Sequence, residues 1–288
     1  MRFEERPIPE PLVRLLLAES FPRWADLPLR RVASFGTDHV MYRLGGDMVV
    51  RLPKVDWAVE GVRHENRWLP ELAPHLPVPV PEPLGLGRPA AGYPWPWAVH
   101  RWLEGANPEE VGEPRAFAED VAAFIAAMRR VRLPGAPTTR RGDPLATRDE
   151  ATRRAIADIA DQVDVAGVTR AWETALAAPA WDGDPVWLHG DLSPGNVLVR
   201  DGRFGAVIDF SLSGVGDPAA DLVVAWNLVP EEGRQALREA LGDDDATWER
   251  GQGLALSIAL VQLQYWEHNP LLAGNSRHII DQVMADAA

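Results

Sequence analysis

The chain has 288 residues, of which 46% are hydrophobic, enough to bury a sizeable core in one large domain or two lobes. It has no cysteine, which excludes disulfides, thiolate metal sites and cysteine nucleophiles. The net charge of −13 argues against nucleic acid as the main partner and is compatible with a cationic substrate.

The first third of the chain is rich in predicted strands. Apolar and β-branched runs separated by glycine indicate consecutive antiparallel strands at Arg30–Phe35, Val40–Gly45 and Met48–Leu52. A helical pattern follows at Trp57–Trp68, and Pro70 is expected to begin a further turn rather than continue that helix. Two more strands are predicted, at Pro83–Gly87 and Trp97–Leu103.

A break at Gly105, Asn107 and Pro108 predicts a lobe boundary, with one lobe at 1–103 and the other at 104–288. The second lobe is mostly helical by its apolar periodicity. The predicted helices are Pro114–Arg130, Arg148–Gln162, Val168–Ala178, Pro218–Asn227, Glu231–Leu241, Thr247–His268 and Ser276–Ala285. Short strands are expected at Val186–His189, Val197–Arg200 and Ala206–Ile208. The N-terminus lacks a signal-peptide pattern and no apolar run reaches membrane-spanning length, so we expect a cytoplasmic protein without a membrane partner.

The most informative stretch contains His189-Gly-Asp-Leu-Ser-Pro-Gly-Asn196, followed by Ile208-Asp-Phe210. Asp191 and Asn196 share one loop, and Arg200-Asp-Gly-Arg203 is a hairpin signal that can bring Asp209 back beside Asn196. Phosphoryl transfer needs a carboxylate to orient and deprotonate a hydroxyl, and hard oxygen ligands for magnesium. The alternative is that these side chains only make turn and cap hydrogen bonds, but the ordered set of three favours chemistry.

This stretch resembles the aminoglycoside phosphotransferase family, which shares the protein-kinase-like fold with choline and fructosamine kinases. The resemblance implies an α+β, bilobal fold with an antiparallel-sheet N-lobe and a mainly helical C-lobe. It implies that Asp191 is the catalytic base and that Asn196 and Asp209 hold Mg²⁺. It also implies that Asp221 braces the catalytic loop, and that His189 orients it.

Two positions depart from the pattern of many relatives. Ser193 stands where many have histidine, and Ser211 stands where many have glycine. Asp191 and Asn196 keep their spacing, so the first change is expected to matter little. The second affects the backbone directly after Asp209.

The nucleotide, ATP or GTP, is expected to bind in the first lobe. Strand alternation places Val49 and Arg51 on one face, which suits Val49 against the purine ring and Arg51 on the phosphates. Lys54 lies beyond Pro53, so its side chain is expected to point elsewhere. Among possible acid partners on the next helix, Glu65 has mostly apolar helical neighbours, while the alternative Glu60 lies on a more solvated face.

Two further parts of the nucleotide site are predicted from position. A phosphate-covering loop at Ser34-Phe-Gly-Thr-Asp-His39 places Ser34, Gly36 and Thr37 against the nucleotide. The purine ring of the nucleotide is expected at the lobe boundary, beside His100 and Trp102. A P-loop kinase is excluded because the chain has no Gly-x-x-x-x-Gly-Lys sequence.

The acceptor is predicted to be a small hydroxylated compound, aminoglycoside-like and cationic. Candidate lining residues are Trp226, Tyr265 and Glu267, although Glu267 also suits a solvated helix position. A macrolide or an ordinary metabolite is the alternative acceptor, and a nucleotide-binding pseudokinase is the alternative function. The sequence leaves the oligomeric state open.

Overall fold

The computed structural model describes residues 6–33, 37–108, 111–266 and 269–286. The chain forms two compact units. Unit 1 comprises Met1–Ala106 and Gly205–Ser211, and unit 2 comprises Asn107–Phe204 and Leu212–Ala288. The division at residue 103 stays a prediction, and it did not foresee that Gly205–Ser211 belongs with unit 1.

Unit 1 is built on an antiparallel sheet. After helix α1 (Glu10–Ser20), the strands are β1 (Leu29–Arg31), β2 (His39–Leu44), β3 (Met48–Pro53), β4 (Pro83–Gly87) and β5 (Trp97–Arg101). Helix α2 (Val59–Leu72) follows β3. Within the described residues these five strands pair in the order β1-β2-β3-β5-β4. The predicted antiparallel sheet of the first lobe is confirmed.

Strand alternation gives this sheet two different faces. One face supplies Tyr42, Leu44, Val50 and Leu52 to an apolar core that also includes Leu16 and other residues of α1. The opposite face carries His39, Val49, Arg51 and His100, all of which are buried. This second face of the sheet therefore holds three of the residues predicted to meet the nucleotide, Val49, Arg51 and His100.

Two expectations for unit 1 are corrected. Helix α1 was not predicted; it begins after Pro9, which caps it without a side-chain hydrogen bond, so the usual N-terminal signal is missing. The helix expected to stop before Pro70 continues to Leu72. Pro70 lies near the end of α2, where the backbone N–H of Ala73 still donates to the carbonyl of Leu69. One absent donor near a helix end does not break the helix.

Unit 2 is mainly helical, as predicted. Its helices are α3 (Pro114–Arg130), α4 (Asp149–Asp158), α5 (Val165–Ala177), α6 (Val224–Asn227), α7 (Glu231–Leu241), α8 (Asp245–Trp266) and α9 (Pro270–Asp286). The predicted apolar face of α3 is buried: Phe117, Val121, Phe124, Ile125 and Met128. The stretch Pro218–Val223, expected to be α-helical, is a 3₁₀ helix that α6 extends. Asp217 caps that stretch by accepting a hydrogen bond from the backbone N–H of Ala219.

Short strands flank the predicted catalytic loop. Strand β6 (Val186–Leu188) pairs with β9 (Gly214–Gly216), which the sequence did not predict, and β7 (Val197–Arg200) pairs with β8 (Arg203–Val207). The hairpin between β7 and β8 turns at Asp201 and Gly202, which both have positive φ. No helix in the described part of the chain is long and apolar enough to cross a membrane.

Candidate active site

The loop after β6 holds Asp191 and Asn196 together. The side-chain amide of Asn196 donates to the backbone carbonyl of Asp191 and to its carboxylate oxygen Oδ2, both at 2.9 Å. Gly190 precedes Asp191 with φ +80°, and a Cβ there would lie 2.6 Å from the carbonyl oxygen of Leu212. The tight turn therefore requires glycine and presents a carboxylate whose side chain stays 39% exposed.

Buried groups hold this loop from behind. Asp221, whose exposure is 1%, accepts hydrogen bonds from the backbone N–H groups of His189 and Gly190, both at 2.8 Å. The ring of His189 is also buried, and its Nδ1 accepts from the N–H of Asp191 at 3.2 Å. Burial raises the pKa of Asp221, while His189 and the two N–H donors act against that rise. The structure brings together the two residues predicted to support the loop.

Two asparagines that sequence reasoning missed also fix the loop backbone. The side chain of Asn107 donates to the carbonyls of Pro194, Gly195 and Val197. The buried Asn227 donates to the carbonyl of Leu192 at 2.8 Å. Buried or shared carbonyls are rarely left without a donor, so these amides help determine one loop conformation.

One arginine side chain contacts Asp191, which the sequence analysis did not predict. The guanidinium of Arg141 lies 3.3 Å from Oδ1 of Asp191. Arg148 lies a few residues further along and donates through Nε to the hydroxyl of Ser257 at 2.9 Å. No spacing or periodicity signals a contact between residues so far apart in the sequence.

In unit 1 the structure brings Arg51, Glu65 and Asp209 together. Arg51 contacts Oε2 of Glu65 at 2.5 Å and Oδ2 of Asp209 at 3.3 Å. Glu65 is 1% exposed, and its second oxygen accepts the backbone N–H of Phe210 at 2.9 Å. Burial disfavours the charge of Arg51, but Glu65 and Asp209 raise its pKa above the usual value.

The alternatives weighed for this cluster lie elsewhere. Glu60 forms an exposed pair with Arg63 on the outer side of α2. Lys54 follows β3, where its backbone N–H donates to the carbonyl of Asp38 at 2.8 Å. The choice of Arg51 and Glu65 from strand and helix periodicity thus agrees with their contacts.

The backbone at Asp209 has an unusual conformation. Its φ is +63°, in the left-handed region, which non-glycine residues adopt at a cost and often near functional sites. Its Oδ1 accepts from the hydroxyl of Ser211 at 2.6 Å and from the Ser211 N–H at 3.3 Å. A Cβ on Gly61 would lie 2.7 Å from the Cβ of Ser211. Gly61 therefore makes room for the side chain of Ser211.

Two buried histidines share the sheet face of Arg51. His100 pairs directly with Val49 across β3 and β5, and His39 lies on β2. Burial, together with the charge of Arg51, lowers the pKa of His39 to about 4 and that of His100 to about 3. Neither ring nitrogen of His100 has a hydrogen-bond partner among the described residues. Both rings are therefore neutral at physiological pH.

The other predicted nucleotide residues are placed as follows. The hydroxyl of Thr37 donates to Asp38 at 2.7 Å. Trp102 follows β5, and the guanidinium of Arg43 lies 4.1 Å from its ring centroid. Ser34 and Gly36 lie outside the described residues, so their predicted contact with the phosphates stays a prediction.

The three predicted acceptor residues have different surroundings. Trp226 has no exposed surface, and its indole donates to Asp286 at 2.9 Å, so we leave it out of the proposed acceptor site. Tyr265 is exposed near the end of α8. Glu267 lies outside the described residues.

Asn196 and Asp209 have the chemistry that a magnesium ion requires. The amide of Asn196 uses its nitrogen for Asp191, which leaves the carbonyl oxygen as the atom to meet a cation, and Asp209 offers a carboxylate. Mg²⁺ prefers such oxygen ligands and takes the rest from water and substrate phosphates. In the described residues no three His, Cys, Asp or Glu side chains gather as a group that could hold a metal ion, and the assignment of Asn196 and Asp209 to Mg²⁺ stays a prediction.

A family model described as "Phosphotransferase enzyme family" matches residues 30–254. The chain belongs to this phosphotransferase family. The expected enzyme class of phosphotransferase is therefore confirmed. An aminoglycoside 3'-phosphotransferase from Escherichia coli is 41% identical over 58 residues, which are 20% of this chain and 21% of that relative. The match thus spans about a fifth of the curated relative's length.

Solved structures of phosphotransferases share the fold. The GDP and kanamycin complex of APH(2")-IIIa has a TM-score of 0.74 at 19% identity, covering 95% of this chain and 98% of that chain. The macrolide 2'-phosphotransferase of Brachybacterium faecium has a TM-score of 0.63 at 24% identity, covering 96% and 98%. At these identities the likeness establishes the protein-kinase-like fold, which confirms the fold class, and does not establish the acceptor.

Proposed function

We propose that this phosphotransferase transfers the γ-phosphoryl group of ATP or GTP to a hydroxyl of a small molecule, with Asp191 as the base. The observation that carries the proposal is the geometry of Asp191. Its carboxylate is oriented by Asn196 yet remains partly exposed, on a loop fixed by the buried Asp221. This combination of a fixed backbone and an accessible carboxylate suits proton transfer to and from a bound hydroxyl.

The reaction follows from that placement. The acceptor oxygen attacks the γ-phosphorus while the bond from that phosphorus to the β,γ-bridging oxygen breaks. Asp191 accepts the hydroxyl proton, and the nucleoside diphosphate leaves with the bridging electrons. Because this reaction needs little covalent help from the protein, positioning and charge supply most of the catalysis.

Asn196 and Asp209 are the proposed ligands of Mg²⁺, which when bound neutralises phosphate charge. Arg51 is the proposed contact to the nucleotide phosphates, held in place by Glu65. The purine ring of the nucleotide is proposed to contact Val49, His100 and Trp102. The phosphates are proposed to lie beneath Ser34, Gly36 and Thr37. Support for either nucleotide comes from structural relatives solved with GDP, ADP and ATP.

The acceptor is proposed from the names of the relatives and from the charge of the chain. The names of the relatives make aminoglycosides and macrolides the first acceptors to assay. The net charge of −13 is the basis for expecting a cationic, aminoglycoside-like acceptor. Tyr265 and Glu267 remain proposed acceptor contacts. An ordinary metabolite is the second candidate, and the charges beside Asp191 favour it, as argued below.

The proposal is tested by measuring ATP- and GTP-dependent turnover across kanamycin, a macrolide, simple amino alcohols and hydroxylated metabolites, with and without excess EDTA. We expect turnover of at least one acceptor, with phosphorylated product detected by mass spectrometry and complete loss in EDTA. Nucleotide binding without turnover of any acceptor would instead support a pseudokinase, because such a protein has no need of a base.

A further inference from the structure

Three arginines, Arg140, Arg141 and Arg148, form what we call the arginine cluster. They lie on the two 3₁₀ turns between α3 and α4, at Arg140–Gly142 and Leu145–Arg148. Arg141 lies 3.3 Å from the carboxylate of Asp191. The proposed base is therefore next to one member of a group of three arginines, in a chain whose overall charge is −13.

Within the part of the chain that the structure describes, two members of the arginine cluster lack a carboxylate partner. Among the described residues, Arg141 pairs only with Asp191, and neither Arg140 nor Arg148 has a carboxylate partner. Other partly buried arginines of unit 2 do have one, as Arg250 has in Asp217. Burial, together with the charges of Arg141 and Arg140, lowers the pKa of Arg148 to about 10. Like charges brought together without a counter-ion cost free energy, which a bound anion would recover.

Arg148 is also held in position for binding. Its Nε donates to the hydroxyl of Ser257, which shares a 2.7 Å hydrogen bond with the hydroxyl of Thr152. The two terminal guanidinium nitrogens of Arg148 are left for a ligand. Such a pair of nitrogens can bind a carboxylate or phosphate in a bidentate manner. An arginine already fixed by a neutral partner loses little side-chain entropy when it binds an anion.

The position of Ser257 indicates which substrate carries the anion. Ser257 lies on α8, the helix that also carries the exposed Tyr265, a proposed acceptor contact. All members of the arginine cluster, together with Asp191, belong to unit 2, whereas the residues proposed for the nucleotide lie in unit 1 apart from the magnesium ligand Asn196. These placements favour the acceptor over the nucleotide as the source of the negative group.

We propose that the acceptor carries a carboxylate or phosphate group near the hydroxyl that is phosphorylated, and that Arg148 and Arg141 bind this group. The inference rests on the proposed function, because it takes Asp191 as the base that meets the hydroxyl. The anionic group is unchanged by the reaction and serves to orient the acceptor. A polycationic acceptor would be repelled by the charges of Arg141 and Arg148, so an acidic hydroxylated metabolite is favoured over an aminoglycoside.

The test is calorimetric binding to the full chain with saturating Mg²⁺ and ADP, which occupy the nucleotide site. The probes are matched pairs that differ in charge: D-gluconate against sorbitol, and glycerol 3-phosphate against glycerol. We expect an anionic member to bind at least about tenfold more tightly than its neutral counterpart, as a charge-assisted contact predicts. Arg148→Gln should remove this preference, and Arg148→Lys should retain part of it.

Arg154→Gln is the matched control, because Arg154 is an exposed residue of α4 that pairs with Glu150 and carries the same charge. It should preserve the preference. The proposal is wrong if neither anion binds better than its counterpart, or if Arg148→Gln binds the anions as wild type does. It is also wrong if Arg148→Gln weakens a non-hydrolysable ATP analogue but not ADP, since the arginine cluster would then serve the γ-phosphate.

Turnover separates this inference from the proposed function. Turnover of a cationic or neutral acceptor with a higher kcat/KM than any anionic acceptor, unchanged in Arg148→Gln, would overturn the anionic acceptor and leave the kinase assignment intact. Anion binding that depends on Arg148, with no magnesium-dependent turnover of any acceptor, would overturn the kinase assignment alone.

Discussion

Charged groups are treated differently in the two units. In unit 1, Arg51 and Glu65 are buried and paired with each other, and Asp209 joins them with 30% of its side chain exposed. In unit 2, Asp191 is 39% exposed and contacts Asn196 at 2.9 Å and Arg141 at 3.3 Å. The unit 1 contacts fix a geometry, whereas the unit 2 carboxylate remains accessible.

The difference follows from what each group is proposed to do. A phosphate-binding arginine must keep its position and charge, and burial against two carboxylates secures both. A base must exchange a proton with a substrate, so its carboxylate has to stay reachable. Buried Asp221 shows that unit 2 also uses a buried charge, but behind the loop, where it fixes the backbone.

The largest expected effect on stability is at Glu65. Glu65→Gln removes the nearer of the two carboxylates that balance buried Arg51, so we expect the free energy of unfolding to fall by about 3–5 kcal/mol. Urea denaturation measures it. Glu60→Gln, an exposed position of the same helix, is the control and should change stability by less than about 0.5 kcal/mol. Similar effects from both substitutions would show that the contact between Glu65 and Arg51 contributes little to stability.

A smaller effect is expected at Asp221. Asp221→Asn leaves one oxygen to accept two backbone N–H groups, so we expect a loss of about 1–3 kcal/mol in urea denaturation. The kcat should fall as well, because the loop carrying Asp191 loses a constraint. Asp201→Asn makes the same change of charge in an exposed turn and should have neither effect. An unchanged kcat in Asp221→Asn would mean that the loop is positioned without it.

The buried histidines of unit 1 predict a particular sensitivity to acid. Because the folded-state pKa of His100 is about 3, below the unfolded value of about 6.5, its contribution to stability is complete above pH 6.5. It is lost as pH falls toward the folded-state pKa, at about 1.4 kcal/mol per pH unit. His100→Gln should reduce the slope of unfolding free energy against pH between 6.5 and 4, and His75→Gln, an exposed position, should not. Equal slopes in all three proteins would contradict a neutral buried His100.

The smallest expected effect is at Gly61. A methyl group there would lie 2.7 Å from the Cβ of Ser211. Alanine favours a helix more than glycine does, so we expect Gly61→Ala to lower the free energy of unfolding by a net value of about 1 kcal/mol. Adding Ser211→Gly should restore stability, which a double-mutant cycle in urea measures. If the two substitutions are additive, the two positions do not constrain each other.

Local patterns in the sequence predicted much of both sites. The alternation of β3 distinguished Arg51 from Lys54, and the helical face of α2 distinguished Glu65 from Glu60. The spacing of Asp191 and Asn196 identified the loop. Each of these inferences uses a period of two residues, a helical turn or a short loop, which the sequence displays directly.

Contacts between distant segments were not predictable in this way. Arg141 reaches Asp191 across 50 residues of sequence, and Asn107 reaches the loop carbonyls from 87 to 90 residues away. No periodicity relates such positions; only the packing of unit 2 does. Helix α1 was missed for a local reason, because Pro9 caps it without a side-chain hydrogen bond.

The central claim is that Asp191 is the base and not a nucleotide-binding group. The direct measurement is the kcat of Asp191→Asn on an acceptor that wild type phosphorylates, together with the Kd for the magnesium nucleotide. We predict that kcat falls roughly 10²–10⁴-fold, the usual contribution of general-base catalysis, while the Kd is unchanged. A variant with wild-type kcat, or one whose activity is lost only because the nucleotide no longer binds, would contradict the assignment.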